Sequence, residues 1–185
     1  MQAIGLFFSL TWATFWVAWI IAATTAKTQQ RRAGTIIGVG IRFGIVLLIF
    51  LLIRARALGT SAGVIDSWPA QALGIALFVA GLGLAVWARL YIGSNWGMPM
   101  SHKIDPELVT TGPYRFVRHP IYSGVILAMI GTGLAVGLYW LIVAVAIAVY
   151  FIYSATVEER NLEQLFPKTY PAYRRGTKML LPFLL

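Results

Sequence analysis

Polar side chains are scarce in this sequence, and two groups of them are spaced to work together. Tyr114, Arg115, Arg118, His119 and Tyr122 form the first group. Glu158, Glu159, Arg160, Asn161 and Glu163 form the second, about 40 residues further on. Between them runs an uncharged apolar stretch from Pro120 to Val157. Proline suits the first turn of a helix, and the residue before it is held out of the helical region. His119 is therefore expected in extended backbone, with the N–H groups of Ile121 and Tyr122 open at a helix start. A helix N-terminus flanked by Arg118 suits a carboxylate or a phosphate. The glutamates suit the reverse, an ammonium or a ribose diol. A ligand carrying both a carboxylate and an ammonium matches the pair. A purely structural reading competes, in which Arg118 snorkels to headgroups, Glu158 pairs with it to hold the helices, and His119 bonds a carbonyl. Two adjacent glutamates at a helix C-terminus oppose the dipole and call for compensation, which favours function. The chain has no Cys, so a thiolate nucleophile and any Cys-based metal site are excluded, and no metal site is expected.

The elements that must position these groups are legible from hydropathy. The chain has 185 residues, 59% hydrophobic and 11% charged. A soluble domain carries about 25% charged residues. Disorder, a coiled coil and an ordinary cytosolic globule are thereby excluded. Apolar runs extend over Ala3–Thr25, about Gly34–Ile53 and Ala70–Leu90. The run from Pro120 to Val157 is too long for one span and right for two, with a break near Gly137-Leu138-Tyr139-Trp140. That gives helices of about 17 residues, each about 26 Å long. The expected fold is an all-α integral membrane protein of five transmembrane helices, with a C-terminal helical hairpin and a cytoplasmic tail. Residues 1–90 supply three N-terminal spans, and 91–185 supply the loop, hairpin and tail of the catalytic region. With five spans, one side collects eleven Lys and Arg, while the other has Arg54 and Arg56. Lys and Arg accumulate on the cytoplasmic side. The net charge of +9 is explained this way, and nucleic acid is not an expected partner. Closing the hairpin brings Arg118 and His119 opposite Glu158 and Glu159 on the cytoplasmic face, about 8–10 Å apart between helix axes. No internal repeat is evident. Gly-x-Gly at Gly38/Gly40, Gly81/Gly83 and Gly131/Gly133 lies within apolar runs and points to close helix packing rather than to nucleotide binding. Arg42, inside the second run, either snorkels or lines a cavity.

The stretch Leu108-Val109-Thr110-Thr111-Gly112-Pro113-Tyr114-Arg115-Phe116-Val117-Arg118-His119-Pro120-Ile121-Tyr122-Ser123-Gly124 resembles the signature of the isoprenylcysteine carboxyl methyltransferase family, itself similar to the membrane phospholipid methyltransferases. Glu158-Glu159, Leu162, Phe166, Tyr170, Tyr173 and Leu181-Pro182 follow in the order of that family's second half. The resemblance covers roughly 91–185. It implies S-adenosyl-L-methionine as cofactor, bound between loop, hairpin ends and tail, and a cleft opening toward lipid. It places Leu108, Val109, Gly112, Tyr114, His119, Tyr122 and Glu159 around the cofactor. It gives Arg118, Glu158 and Glu159 roles at the acceptor or at the cofactor's polar end. The acceptor it implies is a lipophilic small molecule or a prenylated cysteine carboxylate, met among membrane lipids. The location that follows is a multi-pass protein of a prokaryotic plasma membrane, its active site facing the cytoplasm. Pro167 stands where the family often has Gly, and Arg175-Gly176-Thr177-Lys178 replaces an Arg-Val-Pro-like stretch. The residues that read a carboxylate therefore differ here. Trp96, Met98 and Met100 suggest an apolar lid or acceptor contact.

Two other classes compete. A membrane NADPH-dependent reductase of sterol-reductase-like architecture would use Arg174, Arg175 and Lys178 for the 2′-phosphate. A non-enzymatic scaffold or transporter subunit would place charges at the midplane and show repeats, and Arg42 alone meets that description.

Overall fold

The computed structural model describes residues 2–23, 67–96 and 107–181. These residues form helices and connecting turns, with no strand among them. Helix α1 spans Gln2–Ala23, α2 Trp68–Ile92, α3 Pro120–Val136, α4 Tyr139–Leu165 and α5 Tyr170–Gly176. Single 3-10 turns occupy Gly93–Asn95 and Gly112–Arg115. Within α1, α2 and α4 lie three stretches long and apolar enough to cross a membrane. The 17-residue α3 is apolar but shorter. The first and third apolar runs thus become helices within two residues of their expected bounds. The run Gly34–Ile53, with Arg42, lies outside the described residues.

The break between α3 and α4 falls at Gly137 and Leu138, as the composition there predicts. The end of α4 does not fall where it was expected. The helix runs on for 27 residues to Leu165 instead of stopping near Val157. Glu158 to Leu165 contains no Gly or Pro and is rich in good helix formers. Hydropathy marks where the lipid-facing composition ends, and the backbone hydrogen bonding has no reason to stop there. Glu158 and Glu159 are consequently interior to a helix. The dipole cost argued for a C-terminal pair does not apply to them.

Helices α2 and α3 approach so closely that their backbones touch. A Cβ added at Gly81 would meet the Ala128 amide nitrogen and the Gly124 carbonyl at 2.5 Å. One added at Gly131 would meet the Gly74 carbonyl and the Phe78 nitrogen at 2.5 Å. Gly74 and Gly81 lie seven residues apart, as do Gly124 and Gly131, so two contacts recur every two turns. Small residues let membrane helices pack by backbone contact where no hydrophobic force separates helix from lipid. Gly81 and Gly131 therefore bear out the packing reading. Gly133 packs on the Leu141 side chain, Gly83 meets nothing within 4 Å, and Gly38 and Gly40 lie outside the described residues.

Helix α1 docks on this pair through Phe8, Trp12 and Phe15, against Phe78, Ala85, Ala128 and Val125. The Trp12 indole N–H donates to Thr132 Oγ1 at 3.1 Å. At the far end of α1, Arg89 of α2 donates to the Ala22 carbonyl at 2.6 Å and to the Gly93 carbonyl at 2.9 Å. Its guanidinium lies over the Trp96 ring, which meets Trp19 edge-on. Trp96 is thus part of the α1–α2 contact; Met98 and Met100 lie outside the described residues.

Candidate functional site

His119 and Arg118 stand at the start of α3, where Pro120 sets the first turn. His119 has φ −126° and ψ 62°, out of the helical region but short of full extension. Its carbonyl accepts from the Ser123 amide, and its own amide donates to the Met179 carbonyl at 3.0 Å. The Arg118 amide donates to the Lys178 carbonyl at 2.8 Å, and Val117 and Lys178 form a single parallel bridge. The tail beyond α5 is therefore fastened alongside residues 117–119. Ser123 adds a side-chain bond to the Leu180 carbonyl at 2.6 Å.

The side chains of this junction face the glutamates of α4. Arg118 Nε donates to Glu159 Oε1 at 2.7 Å, with the arginine 9% exposed and the glutamate 3%. The same guanidinium donates through Nη1 to the carbonyls of Arg174 and Thr177. His119 lies between the two acids, Nδ1 at 3.6 Å from Glu158 Oε2 and Nε2 at 3.4 Å from Glu159 Oε1. The Nε2 contact lacks hydrogen-bond alignment. Tyr122 donates its hydroxyl to Glu158 Oε1 at 2.6 Å. Its ring stacks between His119 and Phe151. Arg174 of α5 reaches Glu159 Oε2 at 3.5 Å and Glu163 Oε1 at 2.7 Å. Glu159, the most buried acid of the cluster, thus lies between two guanidiniums, with the imidazole beside it.

The segment before α3 forms one wall. Gly112 opens the 3-10 turn with φ +59°, a conformation that glycine adopts without strain. Tyr114 is buried, donates its hydroxyl toward the Ala88 carbonyl, and accepts at its own carbonyl from Tyr173 Oη at 2.6 Å. Burial raises the phenol pKa values of Tyr114, Tyr170 and Tyr173 well above their ordinary value. The negative charge of Glu159 acts in the same direction on Tyr170 and Tyr173. All three are held neutral, and Tyr114 and Tyr173 donate. A cleft of about 570 Å³ lies between this wall and the tail, lined by Leu108, Thr110, Arg115, Thr169, Tyr173 and Thr177. Its lining carries one guanidinium and no carboxylate.

Arg118, His119, Tyr122, Glu158 and Glu159 are brought into one cluster. Leu108, Gly112 and Tyr114 lie along the adjoining wall with the half-buried Val109, and Leu108 lines the cleft directly. Sequence reasoning missed the roles of Arg174 and of the Thr177, Lys178 and Met179 carbonyls in closing the cluster. A basic Arg174-Arg175 pair eleven residues past Glu163 is a visible signal for the first. The carbonyls have no side-chain signature. Arg174, assigned to a 2′-phosphate in the reductase reading, is committed to Glu159 and Glu163.

Residues 69–169 match the family described as phospholipid methyltransferase. The chain is 32% identical over 127 residues to the nickel-cobalt-cadmium resistance protein NccN of Alcaligenes xylosoxydans xylosoxydans, covering 64% of this chain and 54% of that protein. It is 36% identical over 78 residues to methanethiol S-methyltransferase 1 of Bradyrhizobium diazoefficiens, covering 42% and 27%. It is 24% identical over 146 residues to protein-S-isoprenylcysteine O-methyltransferase B of Arabidopsis thaliana, covering 77% and 74%. The chain thus spans about half of NccN and about a quarter of the first methanethiol enzyme.

Proposed function

Because this chain belongs to the phospholipid methyltransferase family, we propose that it is a multi-pass membrane enzyme transferring a methyl group from S-adenosyl-L-methionine to a lipophilic, anionic acceptor. The proposed arrangement is five spans, with α3 and α4 as a membrane hairpin and the site on the cytoplasmic face. The observation that carries this reading is the closed cluster of Arg118, His119, Glu158 and Glu159 beside the Leu108–Tyr114 wall.

The residues present fit the donor. Among the described residues, the fully buried Tyr170 hydroxyl and His119 Nε2 find no hydrogen-bond partner. Buried polar groups are ordinarily paired, so two orphans beside Glu159 suit a polar ligand. The cleft falls within the roughly 300–1,000 Å³ of small-molecule sites. In this reading Leu108, Val109, Gly112 and Tyr114 cradle the donor through their backbone. His119, Tyr122 and Glu159 hold its polar end, and Arg118, Glu158 and Glu159 shape the acceptor side.

When bound, the donor supplies an electrophilic methyl on a sulfonium: the new bond to the acceptor forms as the old carbon–sulfur bond breaks, leaving a neutral thioether. The chain's own part is to align the reactants and keep water out. The acceptor class follows from what the cluster leaves uncommitted. Glu159 is held by Arg118 and Arg174, and Glu158 accepts from Tyr122, so neither carboxylate is free to take a proton. An amine, protonated at neutral pH, needs a base to become a nucleophile; a thiolate or carboxylate does not. Arg115 in a cleft lined by no carboxylate favours an anion. The relatives' names give methanethiol, which reaches this state by losing its thiol proton, and an O-methyl acceptor on isoprenylcysteine.

Calorimetric titration of the detergent-purified protein with S-adenosylhomocysteine, with NADPH in parallel, tests the donor. Saturable binding of the first alone supports the reading, and binding of NADPH alone overturns it. Transfer of labelled methyl to an alkanethiol or a farnesylcysteine, and not to phosphatidylethanolamine vesicles, supports the anionic acceptor. The opposite pattern refutes it.

A further inference from the structure

Tyr91 lies at the end of α2, outside the cluster and 45% exposed, yet it makes two contacts with the cradle wall. Its hydroxyl is 2.7 Å from Thr111 Oγ1. Its ring covers Gly112 so closely that an added Cβ there would lie 2.5 Å from Cε2 and Cζ. A second polar contact, from the 3-10 turn that follows α2, is at this segment's other end. Asn95, 8% exposed, donates to Glu107 Oε2 at 3.0 Å. The span from Glu107 to Gly112 is therefore gripped at both ends by residues one turn apart. Within that grip lie Leu108, Val109 and Thr110. Directly after it comes the turn that presents the Tyr114 carbonyl to Tyr173.

We propose that Tyr91 is a positioning residue for the donor cradle: its ring and hydroxyl fix Gly112 and Thr111, and with them the backbone of 108–114, in the shape that receives the donor. This rests on the reading of the cradle given above. A side chain nearly half open to its surroundings contributes little to packing, so stability does not explain why its ring lies against a glycine with φ +59°. A cradle made of backbone groups has no rotamers to adjust and must be held in place from outside. A preformed site binds more tightly because less ordering is left to do at the moment of binding.

The test uses the full chain in detergent, with S-adenosylhomocysteine affinity by calorimetry, donor KM and kcat by methyl transfer, and thermal unfolding as separate readouts. Tyr91→Phe keeps the ring and loses one neutral hydrogen bond, for an expected loss of affinity of about threefold. Tyr91→Ala loses both contacts, and about tenfold is expected, with donor KM raised in step. The midpoint of unfolding and kcat at saturating donor stay near wild type. Gly112→Ala weakens binding strongly in the wild-type background and less in the Tyr91→Ala background, where the ring it strikes is gone. Wild-type affinity in Tyr91→Ala, or a fall in affinity matched by a fall in unfolding temperature, overturns the inference alone. Absence of binding by the folded wild-type chain overturns the cradle reading and the inference together.

Discussion

Replacing Glu159 by Gln removes one charge from the centre of the cluster and leaves the shape. Glu159 is 3% exposed, and Arg118 Nε lies 2.7 Å from it. Breaking a buried ion pair by removing one partner costs about 3–5 kcal/mol, because the other charge stays buried without compensation. Arg118 keeps the carbonyls of Arg174 and Thr177, and Arg174, half exposed, keeps Glu163 and solvent. The low end is therefore expected, about 3 kcal/mol. For a chain of this size that lowers the unfolding midpoint by about 6–12 °C. Arg118→Leu should cost a similar amount by stranding the carboxylate. The double variant Glu159→Gln, Arg118→Leu leaves neither charge stranded, so its cost should fall at least about 2 kcal/mol short of the sum of the singles. Thermal unfolding in detergent followed by tryptophan fluorescence gives all three values. Single costs below about 1 kcal/mol, or additivity within about 0.5 kcal/mol, would show that the pair is not a buried compensated unit.

Three further outcomes follow from the packing and the phenols. Gly81→Ala should destabilise by about 1–3 kcal/mol, because its Cβ meets backbone at 2.5 Å, whereas Gly83→Ala, with open space around it, should stabilise by about 0.5–1 kcal/mol; paired thermal melts read both. Thr132→Val should cost about 1–3 kcal/mol by leaving the Trp12 indole N–H unpaired, measured by the same melts. Tyr114 and Tyr173 hold their protons more tightly when folded, so their contribution is full below the unfolded value of about pH 10 and is lost as pH rises above it. Melting midpoints taken from pH 8 to 11 should fall above pH 10, and less steeply in Tyr173→Phe.

The sequence exposes parts of this molecule that depend on local composition. The apolar runs become α1 and α2 almost residue for residue, and the break between α3 and α4 falls at Gly137, inside the Gly-Leu-Tyr-Trp stretch whose composition points to it. The approach of Arg118 and His119 to Glu158 and Glu159 is visible too, since it follows from the equal lengths of chain on either side of that break. The continuation of α4 past Val157 is not visible to hydropathy, because Glu158–Leu165 changes polarity without changing helix propensity. Arg174 sits on Glu159, and Tyr91 on Gly112, only because separate elements converge. Contacts of that kind have no period or motif along the chain. Arg89 reads as a charge near a helix end. That it closes the Ala22 carbonyl of another helix depends on where α1 lies.

The region shared with the family ends on both sides inside the assembly it belongs to. Helix α1, which carries no signature, is joined to the matched region at two depths, by Trp12 on Thr132 and by the Ala22 carbonyl on Arg89. Tyr173, Arg174 and Thr177, beyond residue 169, complete the cluster at the other end. A chimera that exchanges residues 69–169 between relatives would therefore inherit a recognisable signature with two mismatched seams. One seam would set the Thr132 hydroxyl against a side chain other than Trp12. The other would set Glu159 and the Tyr114 carbonyl against a tail in which Arg174 and Tyr173 are replaced by another protein's residues. The unit that recombination can move intact is larger than the unit that sequence comparison detects.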